Sequence, residues 1–246
     1  MLRTRYIHKI KNTELFKRNL LVWSQQFEDV VWLDSNKYHQ TYSSYDAVLA
    51  VDGLTSIQSN AQNAFKNLKE YQTHIKDWIF GYLTYDLKND IETLESNNFD
   101  GLKFPEMYFF QPKKLFLIKG ATIEVRYLKA FKNEIKGDLN AIRHCEEERR
   151  GNLPNNIKIK LRIHKDSYFE KVTTMLAHIH RGDIYEANFC QEFYAEDIVI
   201  NPLETYFKLN EISKPPFAAF LKCVDLYLLS SSPERYLMKQ DQTIIS

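Results

Sequence analysis

Strand-like runs separated by turn residues, rather than strands alternating regularly with helices, are the feature that most restricts how this chain can fold. Residues 115–118 and 123–128 flank Lys119-Gly120, the pattern of a hairpin. Residues 217–221, 226–230 and 235–238 read as three further strands joined by short turns. Apolar residues 30–33 close a run from 25 that approaches a buried strand, residues 34–44 are polar and loop-like, and 45–51 are apolar again before a turn at Asp52-Gly53. Residues 77–85 read as a buried strand with Trp78, Phe80 and Tyr82 on one face and Ile79 and Leu83 on the other. Gly81 stands between them, where the lack of a side chain admits a neighbouring backbone. These patterns predict an α+β protein of largely antiparallel β-sheets packed as a sandwich with flanking helices.

Helical spacing is sparser. Ala61, Ala64, Phe65, Leu68 and Tyr71 predict an amphipathic helix over 57–73, and residues 138–149 form a charged one. Residues 151–156 read as a linker, which divides the chain into an N-terminal domain, 1–150, and the start of a second domain, 157–246. The second opens with an alternating half-buried strand over 157–163. A helix follows, with Ser167 and Glu170 as a capping box, an apolar stripe of Phe169, Val172, Met175, Leu176 and Ile179, and Gly182 to stop it. Residues 183–194 then read as a long strand whose polar face carries Glu186, Asn188, Cys190 and Glu192. Another helix starts near Asn201-Pro202. The β-branched apolar end at 243–246 has no terminator, so the sequence reads as part of a longer one.

Composition excludes some function classes. Lys and Arg total 33 against 32 Asp and Glu, so no net field draws nucleic acid or an anionic membrane. Three cysteines without paired spacing argue against a disulfide framework and fit a reducing, cytoplasmic setting. Only seven glycines occur, and neither GxGxxG nor GxxxxGK[ST] is among the motifs. His178 and His180, two apart on a helix, do not face each other and read as edge or solvated histidines.

Five segments occur in the order found in one family. They are Trp32-Leu33-Asp34-Ser35 with Tyr42-Ser43-Ser44-Tyr45-Asp46; Phe80-Gly81-Tyr82 with Tyr85-Asp86; the run 182–191, which begins Gly182-Asp183-Ile184-Tyr185; Lys214-Pro215-Pro216-Phe217; and Ser232-Pro233-Glu234-Arg235. Together they resemble the chorismate-utilising enzymes of the anthranilate synthase and aminodeoxychorismate synthase component I family.

That resemblance implies a reaction on chorismate in which the 4-hydroxyl leaves while a nucleophile enters the ring. It casts Glu234 as the catalytic acid. Glu186 and Asn188 become substrate-side candidates. Members that add water carry a lysine at the position of Glu186, and aminating members carry glutamine, so glutamate there favours ammonia. The expected function is component I of aminodeoxychorismate synthase, making 4-amino-4-deoxychorismate for p-aminobenzoate and folate synthesis. The alternatives are anthranilate synthase component I, in tryptophan synthesis, and a non-catalytic amino-acid-binding module. Leu33-Asp34-Ser35, in place of the LxES of many anthranilate synthases, tilts the reading to the first. The segment that separates the two amination reactions is expected after Ser246. So are the glutamates that hold Mg2+, with no metal ligand expected before it, and on that reading the present residues alone are inactive. A glutamine amidotransferase subunit is the implied ammonia source. The family's N-terminal pocket, which can hold tryptophan, is expected from Asp34, Ser35, Tyr42, Ser43, Ser44 and Tyr45 on one side and Pro216, Phe217 and Ala218 on the other. Asp34 is the expected acceptor for a ligand ammonium and Phe217 the apolar slot.

Overall fold

The computed structural model describes residues 3–38, 44–145 and 157–245. In chain order its strands are β1 (Arg3–Lys9), β2 (Asp29–Asp34), β3 (Ala47–Ser59), β4 (Phe80–Leu83), β5 (Met107–Lys119), β6 (Thr122–Leu128), β7 (Lys160–Leu161), β8 (Phe193–Tyr194), β9 (Phe217–Cys223), β10 (Leu226–Ser232), β11 (Met238–Gln240) and β12 (Thr243–Ile245). The α-helices are α1 (Thr13–Ser24), α2 (Ala64–Ile75), α3 (Ile135–Arg143), α4 (Lys165–Arg181) and α5 (Pro202–Ser213). The chain divides into two compact units, Met1–Arg150 with Pro202–Ser246, and Gly151–Asn201. Among the described residues no helix is long and apolar enough to cross a membrane.

The larger unit is built on one antiparallel sheet of eight strands, ordered β1-β6-β5-β3-β2-β9-β10 with β4 also on β5. Every pairing in it is antiparallel, in keeping with the expected α+β class. Alternation sends Val30, Trp32, Leu49, Phe116 and Phe220 to one face, where Leu20, Leu21 and Trp23 of α1, Ile135, Leu139 and Ile142 of α3 and Tyr206 of α5 bury them. The layer against this face is therefore helical. Val31, Ala50, Leu115, Leu117 and Leu221 form a second cluster with Tyr108 and Phe110. The β5–β6 hairpin turns at Gly120 (φ 55°), as its sequence demands. Gly81 is needed for contact: a Cβ there would lie 1.8 Å from the Tyr108 carbonyl oxygen.

Several expectations are corrected. Asp52-Gly53 lies inside a continuous β3, not in a turn. Asp52 takes the positive φ (62°) that a turn would need, but Gly53 still pairs with Pro112 of β5, and a bulge between Gly53 and Thr55 shifts the register before the ladder goes on. β3 therefore runs to Ser59, and the helix expected over 57–73 is α2, because Ile57 finds a strand partner in Phe109. The strand expected over 77–85 pairs only at Phe80–Leu83. β1 and α1 are elements that the sequence patterns above do not include. β1 carries Arg3, Arg5 and Lys9 as a basic edge strand, and α1 is capped by Asn12, whose Oδ1 accepts the Leu15 N–H at 3.1 Å. The charged helix of 138–149 is α3, which starts at Ile135 and ends at Arg143; residues 146–150 and the linker 151–156 lie outside the described residues. The expected domain 157–246 is divided, because β9 pairs with β2 and carries residues 202–245 into the larger unit. The strand expected at 235–238 is displaced to the β11–β12 hairpin.

In the smaller unit α4 begins at Lys165 after His164, so Ser167 and Glu170 lie inside the helix and form no capping box. Gly182 (φ 83°) ends it as expected. The strands expected over 157–163 and 183–194 shrink to two-residue β7 and β8. Alternation states which faces a segment offers, but a strand also needs a ladder partner. The β7–β8 ladder goes no further than the Arg162 N–H on the Glu192 carbonyl (3.0 Å), and residues 183–191 lie in no strand.

Candidate functional site

At one end of the sheet, where β2 finishes and β3 and β9 begin, a cavity of about 440 Å³ opens. The register explains its walls, since Leu33 lies opposite both Val48 and Ala219, and Asp34 opposite both Ala47 and Ala218. The structure thus brings Asp34, Ser35, Ser44, Tyr45, Pro216, Phe217 and Ala218 to one cavity. Tyr42 and Ser43 lie outside the described residues.

Asp34 borders the cavity, but its carboxylate is already engaged. Lys17 of α1 donates to its two oxygens at 2.9 and 3.1 Å, and the Asn36 N–H donates to Oδ1 at 2.9 Å. Burial pushes the Asp34 carboxyl above the usual carboxylate range, and the charge of Lys17 opposes that push. Strand alternation is the reason: Trp32 and Asp34 share the face that packs on helices, so the carboxylate meets α1. The role of ammonium acceptor expected of Asp34 is thereby filled from within the protein.

Ser35 is the polar group that the cavity leaves open. It is 8% exposed, and its buried Oγ has no hydrogen-bond partner among the described residues. Its backbone is held by the Asp46 carbonyl (2.9 Å) and by the Tyr38 N–H (2.9 Å). Asn36 (φ 49°) fastens the same loop, with its Nδ2 donating to Asn210 Oδ1 and to the Pro215 carbonyl, both at 2.8 Å. The Tyr45 hydroxyl accepts from Arg126 at 3.3 Å. On the far wall the Arg235 guanidinium lies 5.3 Å from the Phe217 ring centroid.

Glu234 sits in the bend after β10 with an exposed side chain. Ser232 Oγ donates to its carbonyl at 2.8 Å. In the smaller unit Glu186 and Asn188 are both exposed, on the extended segment after α4. Glu192 of the same polar face is held by Arg162 through bonds of 2.8 and 3.1 Å, and His178 pairs with Asp183 at 2.8 Å. Among the described residues no group of three or more His, Cys, Asp or Glu side chains gathers to hold a metal.

Sequence reasoning missed Lys17, Asn36, Asn210, Arg235 and Leu237 as parts of this region. A signal existed for Lys17, which stands three and four residues before Leu20 and Leu21 on the buried stripe of α1, where a lone lysine requires a counter-charge. The sequence pattern puts Arg235 and Leu237 in a strand, and residues 235–237 form none.

Comparison with known proteins agrees with this architecture. The chain is 26% identical over 181 residues to the anthranilate synthase component I-like protein of Synechocystis sp., covering 70% of this chain and 36% of that one. It is 31% identical over 80 residues to aminodeoxychorismate synthase component 1 of Escherichia coli, covering 32% of this chain and 17% of that one. Its fold matches anthranilate synthase component I from Streptococcus pneumoniae with a TM-score of 0.69 at 16% identity, over 84% of this chain and 54% of that one. The chain thus spans little more than a third of the Synechocystis protein's length. The sequence signature of the chorismate binding enzymes matches residues 28–246, and the chain belongs to that family.

Proposed function

We propose that this chain is part of component I of an aminodeoxychorismate synthase, replacing the 4-hydroxyl of chorismate by an amino group. Glu186 carries the reading. Family members that add water hold a lysine at this position, and a carboxylate cannot act as a neutral amine base. Ammonia is then the nucleophile, delivered by a glutamine amidotransferase subunit. Glu234 gives its proton to the departing hydroxyl, which leaves as water while the C–N bond forms, and the resulting ammonium returns a proton to the Glu234 carboxylate. Segments that match aminodeoxychorismate synthases are short but 31–38% identical, which supports this product. Formation of anthranilate is the second reading, favoured by the longer matches at 23–26% identity. Magnesium belongs to the proposal as a cofactor, with ligands outside the described residues.

The experiment is an assay of the longest polypeptide encoded by the gene, with chorismate, ammonium and magnesium and with product identification by mass. Glu234→Ala, with the fold intact, lowers turnover by about 10²–10⁴-fold, the range for a general acid. Unchanged turnover removes Glu234 from the acid role.

The cavity beside β2 is proposed to hold an amino acid of the tryptophan type. Phe217 faces its ring and Ser35 Oγ supplies a hydrogen bond, while the ammonium acceptor is a group other than the Asp34 carboxylate. Saturable tryptophan binding by calorimetry, weakened in Ser35→Ala, is the expected result. No heat at millimolar ligand would dismiss it.

A further inference from the structure

The bend that carries Glu234 is held from both sides. Before it, Ser232 closes the β10 ladder opposite Phe217, and its Oγ bonds the Glu234 carbonyl at 2.8 Å and meets the Glu234 N–H at 3.4 Å. After it, Arg235 lays its guanidinium over the Phe217 ring at 5.3 Å, and its Nη1 lies 2.7 Å from the Met238 sulfur, at the start of β11. The Glu234 side chain is exposed, so its place depends on the backbone between these two holds. Phe217 is fixed in turn by β9, which pairs with β2 and β10.

We propose that Arg235 is the positioning residue of Glu234: its contact with Phe217 ties the acid's bend to the sheet. The proposal rests on the reading of Glu234 as the general acid. An acid that must meet a leaving oxygen acts only from a narrow set of positions, and a small displacement costs rate rather than substrate affinity. A guanidinium stacked on an aromatic ring is a directional hold that glutamine cannot replace and lysine replaces in part. The chain therefore anchors the acid from both sides, by the Ser232 hydroxyl two residues before it and the Arg235 guanidinium just after it.

The test is a double-mutant cycle in the full-length enzyme, with chorismate, ammonium and magnesium as the assay. Arg235→Gln lowers kcat by about three- to thirtyfold, the weight of a cation–π contact, with the KM for chorismate unchanged. Arg235→Lys recovers most of the loss. In a Glu234→Gln background Arg235→Gln costs nothing further, because a residue that acts through the acid has nothing left to act on. Emission from the buried Trp23 and Trp32 reports whether each variant is folded, and if the glutamine variant is not, the lysine variant in both backgrounds carries the test. An equal loss in both backgrounds, or no loss in either, overturns the positioning role. Full turnover in Glu234→Gln alone overturns the acid reading instead.

Discussion

Two ion pairs, alike in chemistry, separate the two units of this molecule. Lys17 and Asp34 meet at 2.9 Å beneath α1, with side chains 7% and 8% exposed. Arg162 and Glu192 meet at 2.8 Å in the smaller unit, with side chains 29% and 44% exposed. Around the first pair the helical layer excludes water, so each charge depends on the other. Around the second, water can replace either partner. The contrast extends to the surroundings: no described residue of the smaller unit is buried, and the apolar stripe of α4 leaves Phe169 55% and Leu176 44% exposed. An ion pair is thus a measure of how completely its region is closed, and each pair yields a test of that closure.

The larger effect is expected at Lys17. Lys17→Ala strands the Asp34 carboxylate in the core, and breaking a buried pair from one side costs roughly 3–5 kcal/mol. The deficit depends on pH, with a definite sign. Burial already raises the carboxyl of Asp34, and loss of the lysine raises it further. A carboxyl whose folded pKa lies above its unfolded one favours the fold below the unfolded value and loses that support as pH rises through the folded value. Denaturant titrations of Lys17→Ala should therefore show the smaller deficit near pH 4 and the larger near pH 8. A deficit that shrinks as pH rises would mean that Asp34 is not closed off.

The same contrast explains what could be read in advance. Elements whose partners lie near in sequence were legible: the β5–β6 hairpin about Gly120, the close approach at Gly81, the end of α4 at Gly182 and the start of α5 at Pro202 each follow from one or two residues with a specific backbone need. The cavity was legible through the family's motifs, which gathered Ser35, Ser44, Tyr45, Pro216, Phe217 and Ala218 from segments about 170 residues apart. Long-range pairing was not. That β9 adds to β2, so that residues 202–245 join the first unit, is a choice among strands of similar apolarity, which periodicity cannot rank. Asp34 was read for its charge, whereas its direction depends on which face of β2 the helices cover. The over-long strand at 183–194 is the reverse error, a real alternation without a ladder to use it.

The smallest effect, and the sharper probe of the smaller unit, is expected at Arg162. Its guanidinium reaches Glu192 with two bonds and lies 3.8 Å from the Tyr194 ring centroid, so its geometry is better than that of most surface pairs. Even so, water serves both charges once they part, and the gain from the pair is set against the order it imposes on two long side chains. Arg162→Ala should leave the denaturation midpoint of the protein where it was. The change is local: the arginine holds the Glu192 carboxyl below its ordinary range, so its removal lets that carboxyl titrate higher, a shift visible by NMR in the acid region. With Arg162 in place, the support that Glu192 draws from it is present above the unfolded pKa and is lost as pH falls through the folded one. A displaced midpoint in Arg162→Ala would show that the segment before β8 is as closed to water as the sheet, and the distinction between the two units would fail.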